Sequence, residues 1–184
     1  MDKALILIDI QKAFRDGTWG ERNNEFAELN ASKLLKSFRQ NNDMVIHINH
    51  ISNNPESRFY FNSAGFEFQE HVLPIENEKV ISKEVNSAFI GTDLKDILDA
   101  NGIKTLVIAG LSTPHCVSTT TRMAGNYGYE TILVEDATAS FSLTDHKGRI
   151  FSAQEIQDIT IATLHDEFAA IKSTEELIGD LFKS

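Results

Sequence analysis

Short apolar runs that do not alternate place the tightest limit on how this chain can fold. Ala4–Ile8, Met44–Ile48, Leu106–Ala109 and Thr131–Val134 carry apolar side chains at nearly every position. A strand with one face in water alternates apolar and polar residues, so such runs belong to strands covered on both faces. Lys79–Ser82 and Glu167–Ile171 add two shorter candidates. Between the runs lie helical patterns. Phe26, Leu29, Leu34, Leu35 and Phe38 recur at helical spacing over 24–40. A second helix opens at Gly91-Thr92 and stops at Asn101-Gly102, and a third starts at Thr113-Pro114 and runs to about Tyr127. A fourth covers 152–165, and Thr174 caps a last one. Strand–helix alternation of this kind predicts an α/β three-layer sandwich with a mostly parallel six-stranded sheet, helices on both faces and strand order 3-2-1-4-5-6.

The length of 184 residues predicts one domain spanning 1–184, with no linker, repeat or composition break to divide it. A formal charge of −10 with no basic stripe argues against nucleic acid or an anionic membrane surface as partner, because both reward clustered Lys and Arg. No apolar run approaches a membrane span. The segment MDKALILIDIQKAF has Asp2 before its apolar run and Asp9 at its end, and so reads as a strand rather than a signal peptide. One cysteine excludes an internal disulfide and fits a reducing, cytoplasmic setting. The region 51–78, rich in Asn, Ser and aromatics, is long enough for a functional loop.

Ligands in parallel α/β sheets bind beyond the carboxyl ends of the strands, where strand order reverses. In the predicted order the first and fourth strands flank that point. Asp9 closes the first, and Cys116 follows the fourth in the first turn of a helix, where free N–H groups and the helix dipole favour a thiolate. Lys83 ends another strand on the same edge, and its cation would steady both. Asp9, Lys83 and Cys116 are therefore the catalytic candidates, with the Cys116 N–H as an oxyanion donor. Phe14, Trp19, Phe61 and Phe89, in loops or at element ends, and His115 beside the cysteine are the candidates for a substrate pocket. His47 and His50 point to opposite faces of one strand and cannot share an ion; His50 and His71 could meet only through the long loop. No metal or other cofactor is expected, and GLSTPHC is not a phosphate loop.

Four segments together carry a family resemblance: LILIDIQKAF with Asp9 and Gln11, ISKEVNSAFIGTDL with Lys83, LVIAGLSTPHCVSTT with Cys116, and GYETILVEDATAS. The chain resembles the isochorismatase-like cysteine hydrolases, which include nicotinamidases and N-carbamoyl amidohydrolases. The resemblance implies an Asp9–Lys83–Cys116 triad. It also implies a cis peptide at Leu111–Ser112 that turns the Ser112 N–H toward the oxyanion beside that of Cys116, and cleavage of a small amide or carbamoyl C–N bond through a thioester. Self-association as a dimer or tetramer is implied in the same way. The nicotinamidase branch holds a metal with an Asp-x-His pair; here the stretch reads Asn49-His50-Ile51-Ser52. The alternatives are isochorismatase-type vinyl-ether hydrolysis, which needs no cysteine nucleophile, and a non-catalytic pseudoenzyme of the same fold.

Overall fold

The computed structural model describes residues 2–181. Six strands, β1 (Lys3–Ile8), β2 (Met44–His50), β3 (Lys79–Lys83), β4 (Thr105–Leu111), β5 (Glu130–Ala139) and β8 (Ala170–Lys172), form one sheet in the order β3-β2-β1-β4-β5-β8. Every neighbouring pair in it is parallel. This is the predicted order; the sixth strand takes the label β8 only because a two-stranded hairpin, β6 (Leu143–Thr144) and β7 (Ile150–Phe151), precedes it. The helices are α1 (Ala27–Gln40), α2 (Leu94–Ala100), α3 (Ser118–Asn126), α4 (Ala153–Leu164) and α5 (Thr174–Leu181).

The unbroken apolar runs have a simple physical basis. Ala4, Ile6 and Ile8 of β1 pack with Leu94, Leu98, Ala124 and Leu164 from α2, α3 and α4. Leu5 and Leu7 pack on the other face with Leu34, Leu35, Phe38 and Leu177 from α1 and α5. Successive side chains point to opposite faces, and both faces are dry. α4 starts where a capping box forms: Ser152 accepts from the Glu155 N–H, and the Glu155 carboxylate accepts from the Ser152 N–H.

Several boundaries differ from those predicted. α1 buries Leu34, Leu35 and Phe38 as predicted, but Phe26 and Leu29 are exposed and Ala27 and Ala31 are buried in their place. The Asn24 side chain accepts from the Phe26 N–H, and the Asn30 carboxamide donates to the Asp136 carbonyl; together they start the helix late and seat its alanines on the sheet. β5 runs past Glu135 and Asp136, and the Asp136 carboxylate accepts from the Thr174 N–H and hydroxyl at the start of α5. Residues 167–169 form a turn rather than a strand, set by left-handed Asp166, whose N–H donates to the Ala169 carbonyl. The second helix begins at Leu94, not at Gly91-Thr92. The 51–78 region carries two short 3-10 turns, Ala64–Phe66 and Glu70–Val72. No helix among the described residues is long and apolar enough to cross a membrane.

Gly110 sits in register with Ile8 at φ 135°, and a Cβ there would lie 2.1 Å from the Ile8 carbonyl oxygen. Only glycine lets β4 approach β1 this closely at the switch point. Gly110→Ala is expected to lower unfolding free energy by at least about 3 kcal/mol, read from denaturant midpoints at constant slope.

Candidate active site

Three strand ends build the site. Past Ile8 the chain turns sharply at Asp9, which adopts the left-handed conformation (φ 51°) and is completely buried. Its N–H donates to the Ile48 carbonyl at 2.9 Å, and its carbonyl accepts from the Gln11 N–H at 2.7 Å. A non-glycine residue in this conformation is uncommon and concentrates where the surroundings enforce it. Lys83 is the last residue of β3, in register with His50 at the end of β2. Its side chain reaches past the end of β2 to place Nζ 2.7 Å from Asp9 Oδ2, with neither side chain meaningfully exposed. Cys116 comes from the segment after β4. Leu111–Ser112 is a cis peptide. Ser112, not Thr113, stands at the helix cap, and residues Thr113–Val117 form a wide π-helical turn before α3. The His115 and Val117 N–H groups both donate to the Ser112 carbonyl. Cys116 thus lies in the opening turn, 8% exposed.

An Asp9 oxygen, a His50 ring nitrogen and Cys116 Sγ all lie within 4.8 Å of one another. Lys83 holds Asp9 Oδ2, while Asp9 Oδ1 is buried without a hydrogen-bond partner. The thiol lies 3.7 Å from Asn86 Oδ1 and also interacts with the Asp9 carboxylate. Burial raises the Asp9 carboxyl above the ordinary carboxylate range, against the pull of the Lys83 ammonium. Burial and then the Asp9 charge push the Cys116 thiol up to about 12, with Lys83 opposing. The helix-start position therefore does not make a resting thiolate: desolvation beside a carboxylate wins. The arrangement can move a proton from sulfur to the free carboxylate oxygen while the ammonium keeps the net charge balanced.

Asp9, His50 and Cys116 are the residues with metal-ligand character at the site, but they do not fit a divalent ion. The Lys83 ammonium already lies among them, 2.7 Å from Asp9 Oδ2 and 3.1 Å from His50 Nδ1, and the stretch Asn49-His50-Ile51-Ser52 holds no Asp-x-His pair. His71 is outside this group.

The five pocket candidates do not form one wall. Phe14 and Trp19 pack with ring centroids 4.9 Å apart and join Phe59, Phe141 and Leu111 in one cluster, which reaches the site because Phe59 packs on the His50 ring at 5.0 Å. Phe89 packs on Tyr127 and Tyr129, in the core cluster that includes Cys116. Phe61 is half exposed and packs on Tyr60, while His115 is exposed with Nδ1 3.1 Å from the Ser112 hydroxyl. Open cavities of about 530 Å³, lined in part by Asn24, Asp136, Gln157 and His165, and of about 730 Å³, lined in part by Arg39, Asp43 and Glu78, contain none of the three catalytic candidates; size alone does not mark the site here.

Residues 3–171 match the isochorismatase domain. The chain belongs to the isochorismatase family. It is 52% identical over 182 residues to the isochorismatase family protein YrdC of Bacillus subtilis, spanning 99% of this chain and 97% of that one. A crystal structure of an isochorismatase-family chain from Chromobacterium violaceum is 40% identical with a TM-score of 0.97, covering 100% of this chain and 96% of that one. N-carbamoylsarcosine amidase from Thermoplasma acidophilum is 27% identical with a TM-score of 0.72, covering 95% and 98%. Members of the isochorismatase family are hydrolases, and this chain is one of them.

Four neighbours of this isochorismatase-family site had no part in the predicted triad or substrate pocket. Gln11 donates through Nε2 to the His50 and Phe66 carbonyls and accepts from the His50 N–H, so it clamps the end of β2 to the following loop. His50 reads from sequence only as a metal ligand. Asn86 gives no signal beyond lying three residues after Lys83. Phe141 comes from far along the chain and packs on Phe14 at 5.9 Å.

The raised thiol makes a kinetic prediction. Alkylation of the free protein by iodoacetamide at Cys116, followed by intact mass, is expected to be slow at pH 7 and still climbing between about pH 8 and 10. A rate that levels off below about pH 8 would contradict a protonated resting thiol.

Proposed function

We propose that this protein hydrolyses a small amide, carbamoyl or related C–N substrate through a thioester on Cys116. The observation that carries the reading is the convergence of the thiol, the buried Asp9 with one unpartnered oxygen, and Lys83. Asp9 Oδ1 takes the thiol proton as sulfur adds to the substrate carbonyl carbon. The N–H groups of Ser112 and Cys116 receive the developing oxyanion. The tetrahedral intermediate collapses, the C–N bond breaks, and Asp9 returns the proton to the departing amine. Water then adds to the thioester, giving its proton to Asp9. The C–S bond breaks, the acid product leaves, and the proton returns to sulfur. Lys83 keeps Asp9 oriented and balances the charge that passes between carboxylate and thiolate.

The likeness to N-carbamoylsarcosine amidase supports C–N chemistry on this fold. A nucleophile held against a carboxylate also favours a carbonyl substrate over a vinyl ether, whose cleavage needs no sulfur. The aromatic cluster around Phe14 and Trp19, with Phe89 on the thiol side, suits a small substrate with an apolar part.

Rapid quench of the protein with a panel of small amides, read by intact mass, is expected to show an acyl adduct confined to Cys116. Cys116→Ala is expected to lower kcat/KM on the substrate so found by at least about 10³-fold. Wild-type turnover by that variant would overturn the thioester mechanism.

A further inference from the structure

His50 is in contact with the reacting groups and has no part in the proton path above. Its Nδ1 lies 3.1 Å from Lys83 Nζ. An ammonium carries three donors and no lone pair, so Nδ1 must accept. A doubly protonated ring would set N–H against a cation. The ring is therefore neutral with its proton on Nε2. Burial and then the Lys83 charge push the His50 pKa down to about 4, in agreement with this. Nε2 has no hydrogen-bond partner among the described residues. Phe59 packs on the ring at 5.0 Å and, with Gln11 holding the His50 backbone, fixes its orientation.

We infer that His50 is a specificity-determining donor: Lys83 fixes its tautomer, and its Nε2–H selects substrates that carry an uncharged acceptor, such as a carbonyl oxygen, beside the scissile carbonyl carbon. The inference rests on the reading of Cys116 as the reacting thiol. The charge inventory argues for an uncharged acceptor. Lys83 and Asp9 offset each other, and the guanidinium nearest the aromatic cluster, Arg58, is engaged by Asp16 at 3.1 Å and by the Trp19 face at 4.2 Å. Among the described residues no free cation remains at this group to hold a carboxylate.

The test uses two alkylating agents on the intact protein: iodoacetamide, which carries a carbonyl acceptor, and iodoethane, which does not. His50→Asn retains an acceptor for Lys83 near the Nδ1 position and removes the distal donor. It is expected to lower the iodoacetamide-to-iodoethane rate ratio at Cys116 about tenfold. His50→Gln places an amide N–H near the Nε2 position and is expected to hold that ratio within about twofold. An unchanged ratio in His50→Asn, or an equal fall in both variants, would overturn the donor role. Two-bond ¹H–¹⁵N spectra of the wild type are expected to show a neutral His50 with pyridine-like Nδ1 and pyrrole-like Nε2 at pH 7; the opposite tautomer or a charged ring would overturn it without any variant. Absence of an acyl adduct with every amide would count against the hydrolytic reading while leaving the alkylation ratio and the tautomer to decide this one.

Discussion

Everything at the carboxyl edge of the sheet answers to one buried ion pair, Asp9 with Lys83. Taking two charges out of water costs several kcal/mol per ion, and their attraction offsets this only where the geometry is good and the remaining lone pairs are used. Here the 2.7 Å contact uses one carboxylate oxygen, and the other stays unpartnered. A pair selected for stability alone would satisfy both. The open oxygen is a standing energetic cost on a carboxylate that lies within 4.8 Å of Cys116 Sγ, and a cost of that kind fits the proton-transfer role proposed for Asp9. Removing either partner would strand a buried charge, so the pair also ties β1 to β3 across the end of β2.

The sheet sets the distances. Parallel strands end together, and the reversal of order between β1 and β4 leaves a gap above their ends. Gly110 lets β4 close against Ile8 just before the chain leaves the sheet, and the wide turn at Thr113–Val117 then brings Cys116 back over the gap. Asp9 turns from the other side in a left-handed conformation. Neither bend belongs to the regular strand or helix it interrupts. The regular elements are the frame against which both are held.

How much of this was legible in the sequence depended on how local the cause was. Strand order and the two-faced sheet could be read because Ala4–Ile8 and Leu106–Ala109 carry no polar residue. The far half of β5 could not, because Glu135 and Asp136 interrupt the apolar run for reasons lying elsewhere: Asp136 caps a helix that starts 38 residues later. Asp9, Lys83 and Cys116 were visible as strand-end or helix-start positions. Their electrostatics were not. Position at a helix start suggests an acidified thiol, and only the burial around Cys116, together with the nearby carboxylate, reverses that expectation. His50 could be read only as a metal ligand, since nothing local reveals that an ammonium from residue 83 would occupy its Nδ1. The region 51–78 was correctly seen as irregular, but its packing on the core depends on contacts such as Phe59 with His50 that no local pattern encodes.

The side chain of Gln11 bears on how such a site can change over time. Its carboxamide grips the backbone of His50 on one side and the carbonyl of Phe66 on the other, while Gln69 holds the Gln11 carbonyl. The fifteen residues between those two anchor points, 51–65, leave and return through the same clasp. Insertions, deletions and wholesale replacement of that segment can remodel what the crevice admits without disturbing the carboxylate two positions upstream. The clasp sets that segment apart from the Asp9–Lys83 pair, so one can drift while the other stays fixed.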